Sequence, residues 1–252
     1  MTDPADHPVT LSIDIGGSGL KASALDANGR MLVDRVRCET TYPMTPQRMV
    51  DQLAELVTAL PPYDRVSVGF PGMVRGGVLL TAPKFDTESG PGTPVDPDLR
   101  KAWDHFNLAN ALQEKLGKPT RVVNDADMQG LAVIEGHGLE LVVTLGSGVG
   151  TALFLDGHLL PHLEIAHQPF RKGETYDEQL GDVIRHEVGN ERWNTRVAKA
   201  IANFAILFFY DHLYLGGGNA QRVKIDLGLN ATIVDNSAGI LGGIKLWDGP
   251  AV

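Results

Sequence analysis

Residues 11–23 read LSIDIGGSGLKAS, and residues 141–154 read LVVTLGSGVGTALF. Each begins as an apolar strand, breaks into a glycine-rich turn and resumes as a second strand. Such a turn lets backbone N–H groups approach an anion without Cβ atoms in the way. In the first copy Gly16, Gly17 and Gly19 surround Ser18; in the second Gly146, Gly148 and Gly150 stand with Ser147 and Thr151. A second turn (DANG, then DG) and a third apolar run follow each copy, within residues 11–32 and 141–160. The echo predicts that each half of the chain builds its own β-meander around a phosphate-type turn. Neither copy is a Walker loop, because no Gly-Lys-Ser/Thr follows, and neither leads into a helix as a dinucleotide turn does. Each turn alone fits a plain hairpin as well as a phosphate cradle; the pair favours the cradle.

Apolar runs of strand character recur at 9–15, 20–25, 31–37, 65–70, 78–81, 121–123, 141–145, 151–155 and 212–215. Helices are expected over 45–60, with Thr45 as N-cap and Pro46 in the first position, over 108–116 before Gly117, and over 193–210. Strands interleaved with helices define an α/β protein. The Pro/Gly-rich segment 83–98 reads as a long loop, a domain edge or a lid. Two more glycine clusters, LYLGGGNA (213–220) and NSAGILGG (236–243), close a strand and open a C-terminal helix. Asp14 inside the first strand is either a strand-end carboxylate facing solvent or a group that orients Mg²⁺ beside phosphates. Lys21 is either a surface charge or a phosphate contact.

The chain has 252 residues and a formal net charge of −9, which argues against a general nucleic-acid or membrane-surface binder. Its single cysteine, Cys38, allows neither an internal disulfide nor a cysteine-based zinc site. The start, MTDPADHPVT, lacks the basic and then apolar run of a signal peptide, and IANFAILFFY (201–210) is too short to span a bilayer. A cytoplasmic protein is expected.

In this order, IDIGGSGLKAS, GFPGMV (69–74), NDAD (124–127), TLGSGVGTALF, EIAH (164–167), GGGNA and AGILGG resemble the ROK family, the sugar-kinase branch of the actin-like ATPases. Within the family, the compact length and HQPFRKGETYDEQLG (167–181) most resemble polyphosphate glucokinases. The resemblance implies a two-lobed actin-like (ribonuclease H-like) fold with an interlobe cleft. It divides the chain into 1–119, completed by a helix at 237–247, and 120–236. It implies phosphoryl transfer from polyphosphate or ATP to the 6-hydroxyl of glucose, with Asp125 as general base and Mg²⁺ as cofactor, held by Asp14 directly or through water. Asp125 alone also reads as a helix N-cap.

The resemblance further implies that Asn124, Glu164, His167 and Gly72 line the sugar site, and that Asp14, Lys21 and the residues of both turns bind phosphate. Gly217, Gly218 and Asn219 would form a wall for the donor. Asn107 fits a hexose contact or a helix cap. His158, His162, Glu164 and His167 lie close in sequence, but the spacing is not that of a zincin and the family's zinc cysteines are missing. The family's further sugar-binding glutamate falls in a rewritten region, where Glu174 or Glu178 are the options. The span from Gly218 to Ala238 is short for an adenosine pocket, which favours polyphosphate, and Arg171, Lys172, Arg185, Arg192, Arg196 and Lys199 offer either a basic track or a solvated face. An ATP-dependent glucokinase and a non-catalytic sugar-binding protein are the alternatives. A repressor is disfavoured, since only about ten residues precede the first strand. The apolar face of 197–210 suits either a homodimer contact or the core.

Overall fold

The computed structural model describes residues 8–235 and 241–249. The chain divides into two compact units, Met1–Ala132 with Gly239–Val252, and Val133–Ala238.

In the first unit, β1 (Thr10–Ile15) turns through the glycines into β2 (Gly19–Leu25), antiparallel to it with Asp14 opposite Lys21. β3 (Val36–Glu39) extends this meander. Helix α1 (Pro46–Leu56) starts where Thr45 Oγ1 accepts from Arg48 N, and it carries the chain to β4 (Arg65–Phe70), parallel to β1. The short hairpin β5 (Val74–Arg75) and β6 (Val78–Leu79), then α2 (Pro97–Trp103) and α3 (Leu108–Leu116), lead to β7 (Thr120–Asn124) beside β4 and on to α4 (Asp125–Val133). The sheet order is β3-β2-β1-β4-β7. Alternation along β1 decides the layers. Leu11, Ile13 and Ile15 point into the main core with Met49, Leu53, Leu108 and Leu112, while Ser12 faces the other side.

The second unit repeats the plan. β8 (Leu139–Leu145), β9 (Val149–Leu155) and β10 (His158–Leu159) form a meander. A ribbon of β11 (Pro169–Arg171) and β12 (Glu174–Thr175), then α5 (Tyr176–Leu180), α6 (Asp182–Val188) and α7 (Asn190–Phe208), precede β13 (His212–Gly216) and β14 (Ala231–Ile233), which pair parallel. The order β10-β9-β8-β13-β14 matches the first sheet strand for strand. The sequence echo is therefore a duplication of topology. Helix α8 (Gly242–Lys245) rejoins the first unit.

Several expectations need correction. The units divide after Ala132 and not after residue 119, because β7 pairs with β4 and takes Asp125 and α4 with it. The run 31–37 is strand only from Val36; Met31, Leu32 and Val33 are 52%, 44% and 43% exposed. The loop 83–98 stops at Asp96, whose carboxylate accepts from Asp98 N and Leu99 N and starts α2. The α-helix expected over 45–60 gives way at Val57–Ala59 to a 3₁₀ turn, and α7 starts at Asn190, ahead of residue 193. Of the helix expected at 237–247, residues 237–240 lie outside those described. Val197 and Phe204 belong to the core. Among the described residues no helix is long and apolar enough to cross a membrane.

Candidate active site

Asp125 opens α4 at the end of β7, and its neighbours fix it there. Asn124 is buried: its Nδ2 donates to Gly72 O at 3.0 Å and its Oδ1 accepts from Ala126 N at 2.8 Å. One amide thus ties the GFPG turn to the first turn of α4. Two glycines make room. A Cβ at Gly69 would stand 2.9 Å from Met128 Cε and 3.4 Å from Asp125 Cα, and one at Gly72 would run into Thr81 O. Asp125 Oδ1 accepts from Ala126 N at 2.9 Å. Part of the residue stays open to solvent, yet the protein around the carboxyl strips most water from it and pushes its pKa up to about 6. Lys84 pulls against this shift, while the Asp14 and Asp127 charges add to it.

The first turn is closed by Gly16 N donating to Gly19 O at 3.0 Å. Its carbonyls are tied back: Thr40 Oγ1 donates to Gly16 O at 2.8 Å, Thr40 N to Ser18 O at 3.3 Å, and the Tyr42 hydroxyl to Gly17 O at 2.8 Å. Asp14 Oδ2 pairs with Lys21 Nζ at 3.0 Å, with both side chains partly exposed. Lys21 is thereby a partner of Asp14 across the strands. Asp14 keeps a second oxygen, and two carboxylates whose charges reach one another, Asp14 and Asp125, suit an added cation. Among the described residues no group of three acidic, histidine or cysteine side chains surrounds a metal position. The Asp14 carboxylate, with one oxygen on Lys21 and the other left over, fits Mg²⁺, which keeps several waters and takes one or two carboxylates plus substrate phosphates. Asp14 would hold it.

In the second unit, Gly146 N donates to Gly148 O at 2.9 Å. The Asp177 carboxylate, unforeseen from sequence, accepts from Val149 N at 2.7 Å, and a Cβ at Gly148 would run into it. Asp182 N reaches Ser147 O at 3.3 Å. Gly150 lies on β9, and the Thr151 hydroxyl is buried and committed to Leu163 O at 3.3 Å, away from the turn. Asn219 braces the turn through Gly146 O at 3.1 Å and also reaches Asp182 Oδ1 at 3.0 Å. Gly217, at φ +85°, packs on the Leu145 backbone where a Cβ would not fit, whereas Gly218 faces open space.

Glu164 lies between two imidazoles, 3.8 Å from His162 Nε2 and 3.8 Å from His167 Nδ1; His162 is buried and His167 exposed. Asn107 caps α3, its Oδ1 accepting from Asn110 N at 2.9 Å. Glu178 closes a capping box with Thr175, and Glu174 bonds Gln179. The basic residues at 171–199 are partly spent within the unit. Arg171 and Arg196 reach Gln179, Arg185 reaches Asp182 and Asn190, and Lys199 lies over the Phe170 ring.

Two sheets of one topology, each opened by a glycine turn between antiparallel strands, are the mark of the actin-like ATPase fold. The ROK family model matches residues 10–163, and the chain belongs to the ROK family. A polyphosphate glucokinase of Mycobacterium tuberculosis is 28% identical over 246 residues, covering 91% of this chain and 88% of the relative. The solved inorganic polyphosphate/ATP-glucomannokinase of Arthrobacter sp. strain KM superposes with a TM-score of 0.76 at 29% identity, covering 94% of this chain and 97% of that one. A ROK glucokinase from Streptomyces griseus, solved with glucose and AMPPNP, shares the fold with a TM-score of 0.70 at 17% identity over 94% of this chain and 98% of that one.

Proposed function

We propose that the chain is a sugar kinase that transfers a phosphoryl group to the 6-hydroxyl of glucose, from polyphosphate and also from ATP. The observation that carries this is Asp125. A largely desolvated carboxyl at the end of a strand, with a pKa near 6, is ionised at neutral pH and still basic enough to take a proton from an attacking hydroxyl. Asn124 orients it from the preceding position. The N–H groups of the two glycine turns bind donor phosphates, and Glu164 and His167 supply acceptors and donors for sugar hydroxyls. Mg²⁺, when bound at Asp14, neutralises phosphate charge.

The segment after β13 supports polyphosphate as the preferred donor. Among the described residues 217–235 there is a 3₁₀ turn (Ala220–Arg222) and β14, but no α-helix to supply the apolar walls a purine needs. Polyphosphate needs only the cradle and cations. The exposed side chains of Ile206, Leu207 and Phe209 at the end of α7 support self-association as a homodimer, in a cytoplasmic setting.

Glucose 6-phosphate formation with Mg²⁺, comparing polyphosphate with ATP, tests the proposal, with Asp125→Asn alongside. Turnover with polyphosphate above ATP, abolished by the substitution, is the expected result. Turnover with ATP alone removes the polyphosphate preference. Glucose binding without turnover from either donor reduces the protein to a sugar-binding module.

A further inference from the structure

The loop after β6 has no part in the chemistry above, yet it delivers a cation to it. The backbone at Lys84 is pinned to the first phosphate turn by one side chain: the Tyr42 hydroxyl lies 2.8 Å from Gly17 O and 2.9 Å from Lys84 O. The Tyr42 ring stacks on Phe85, the next residue along, which is fully buried. The half-buried Lys84 stem then crosses Gly17, where an added Cβ would stand 3.3 Å from Lys84 Cδ and 3.6 Å from Lys84 Cβ. A Cβ there would also stand 2.9 Å from Pro91 Cγ, so the bare glycine lets this loop, Pro91 and the Lys84 stem together, close on the turn.

Lys84, Asp14 and Asp127 are the charged groups that act on Asp125, and Lys84 is the cation among them. It acts through space and not by a hydrogen bond. Lys21, the other cation at the turn, is already paired with Asp14. Among the described residues, no carboxylate comes within 4.0 Å of the Lys84 ammonium. A lysine on a pinned backbone, with its stem seated on a phosphate turn and its charge reaching the base, is placed to meet an anion between the two.

We propose that Lys84 is a catalytic residue whose ammonium binds the transferring phosphoryl group between the first glycine turn and Asp125. The proposal rests on the phosphotransferase reading. As the sugar oxygen attacks, the new O–P bond forms and the P–O bond to the rest of the donor breaks. The hydroxyl proton passes to Asp125, and Lys84 stays protonated throughout. A lysine serves phosphate as a point charge, so it can follow the phosphoryl group without a fixed fork geometry.

The test compares wild type, Lys84→Met and Lys84→Arg in two assays. In the kinase assay, Lys84→Met lowers kcat about 100-fold or more, with the sugar KM within about threefold of wild type and partial rescue in Lys84→Arg. In calorimetry with tripolyphosphate and no sugar, Lys84→Met weakens binding about tenfold or more. A ¹³C NMR titration of the Asp125 carboxyl adds a readout that a packing role would not move: removing the cation raises its midpoint. Lys84→Gln replaces the Met variant if that variant does not fold. Unchanged kcat and unchanged tripolyphosphate affinity in Lys84→Met overturn the proposal. If wild type phosphorylates no hexose, the function above fails on its own. Tripolyphosphate affinity still decides Lys84: a loss supports the contact and no change overturns it.

Discussion

Asp125 is held where burying its charge costs stability. Its ordinary pKa is 3.8 and its folded value about 6, so between about pH 4 and pH 6 the folded chain keeps a proton that the unfolded chain has lost. Raising the pH through that window therefore removes stability, up to about 3 kcal/mol once the carboxyl is fully ionised. Asn carries no charge to desolvate and can still accept from Ala126 N. Asp125→Asn is expected to melt higher than wild type at pH 7, by about 1–3 kcal/mol, with the gap closing near pH 4. Its kcat falls about 10²–10⁴-fold. Thermal melts at both pH values, beside the kinase assay, check the pair of effects. In wild type, kcat/KM rises with pH through about 6 as the base ionises, and a profile flat across that range would remove Asp125 from the role. The place of Asp125 was legible because Asn-Asp directly after an apolar run marks a strand end that opens a helix, while its proposed role came from the family resemblance. Lys84 was not. In a Pro/Gly-rich loop a lysine looks like any solvated charge, and only the tertiary approach of its stem to Gly17 distinguishes it.

The elements around the site separate two asparagines that the sequence grouped together. Asn124 joins two elements, so Asn124→Ala strands a buried carbonyl at Gly72 and leaves Ala126 N to Asp125 Oδ1 alone. A loss of about 1–3 kcal/mol is expected, together with a fall in kcat, because the first turn of α4 is what aims Asp125. It is the opposite stability sign from Asp125→Asn one residue on, and melting the two variants side by side reads it directly. The Asn107 side chain caps α3, so Asn107→Ala is expected to lower stability by about 1 kcal/mol and leave the glucose KM unmoved. A raised KM would restore Asn107 to the sugar site. Helix α1 was readable from Thr45 and Pro46, since an N-cap followed by proline is a local signal. Helix α2 has the same signal in Asp96 and Pro97, but it was hidden inside a stretch whose glycines and prolines made the whole segment look like loop. The Asp177 contact to the second turn joins residues 28 apart in sequence, and nothing local announces it.

For the whole molecule, the glycine-turn echo held the plan, because a duplicated meander must place its apolar runs and turns alike in both copies. The dividing point between the units was not written there. It depends on which strand β7 joins, and apolar runs do not name their neighbours. The first unit is also built from both ends of the described chain. Ser67 Oγ donates to Gly243 O at 2.5 Å and Trp247 Nε1 donates to Ser67 Oγ at 2.8 Å. The Arg121 guanidinium lies 4.5 Å from the Trp247 ring centroid and reaches Leu246 O and Gly249 O. The seat is made for small residues: a Cβ at Gly243 would stand 2.6 Å from Ser12 Oγ, and one at Gly242 would run into Met128 O, a backbone atom of the helix that Asp125 opens. A flexible side chain can swing away, but that carbonyl cannot move without α4. Gly242→Ala is therefore expected to cost about 1–3 kcal/mol by overpacking, and to lower kcat as α4 shifts. Gly249→Ala, where nothing lies within 4 Å of the new methyl, is the matched control and should stay within about 0.5 kcal/mol of wild type. Thermal melts and turnover of the two variants decide the matter. Equal stability in both would mean that the tail does not hold α4, and that the first unit keeps the base in place without it.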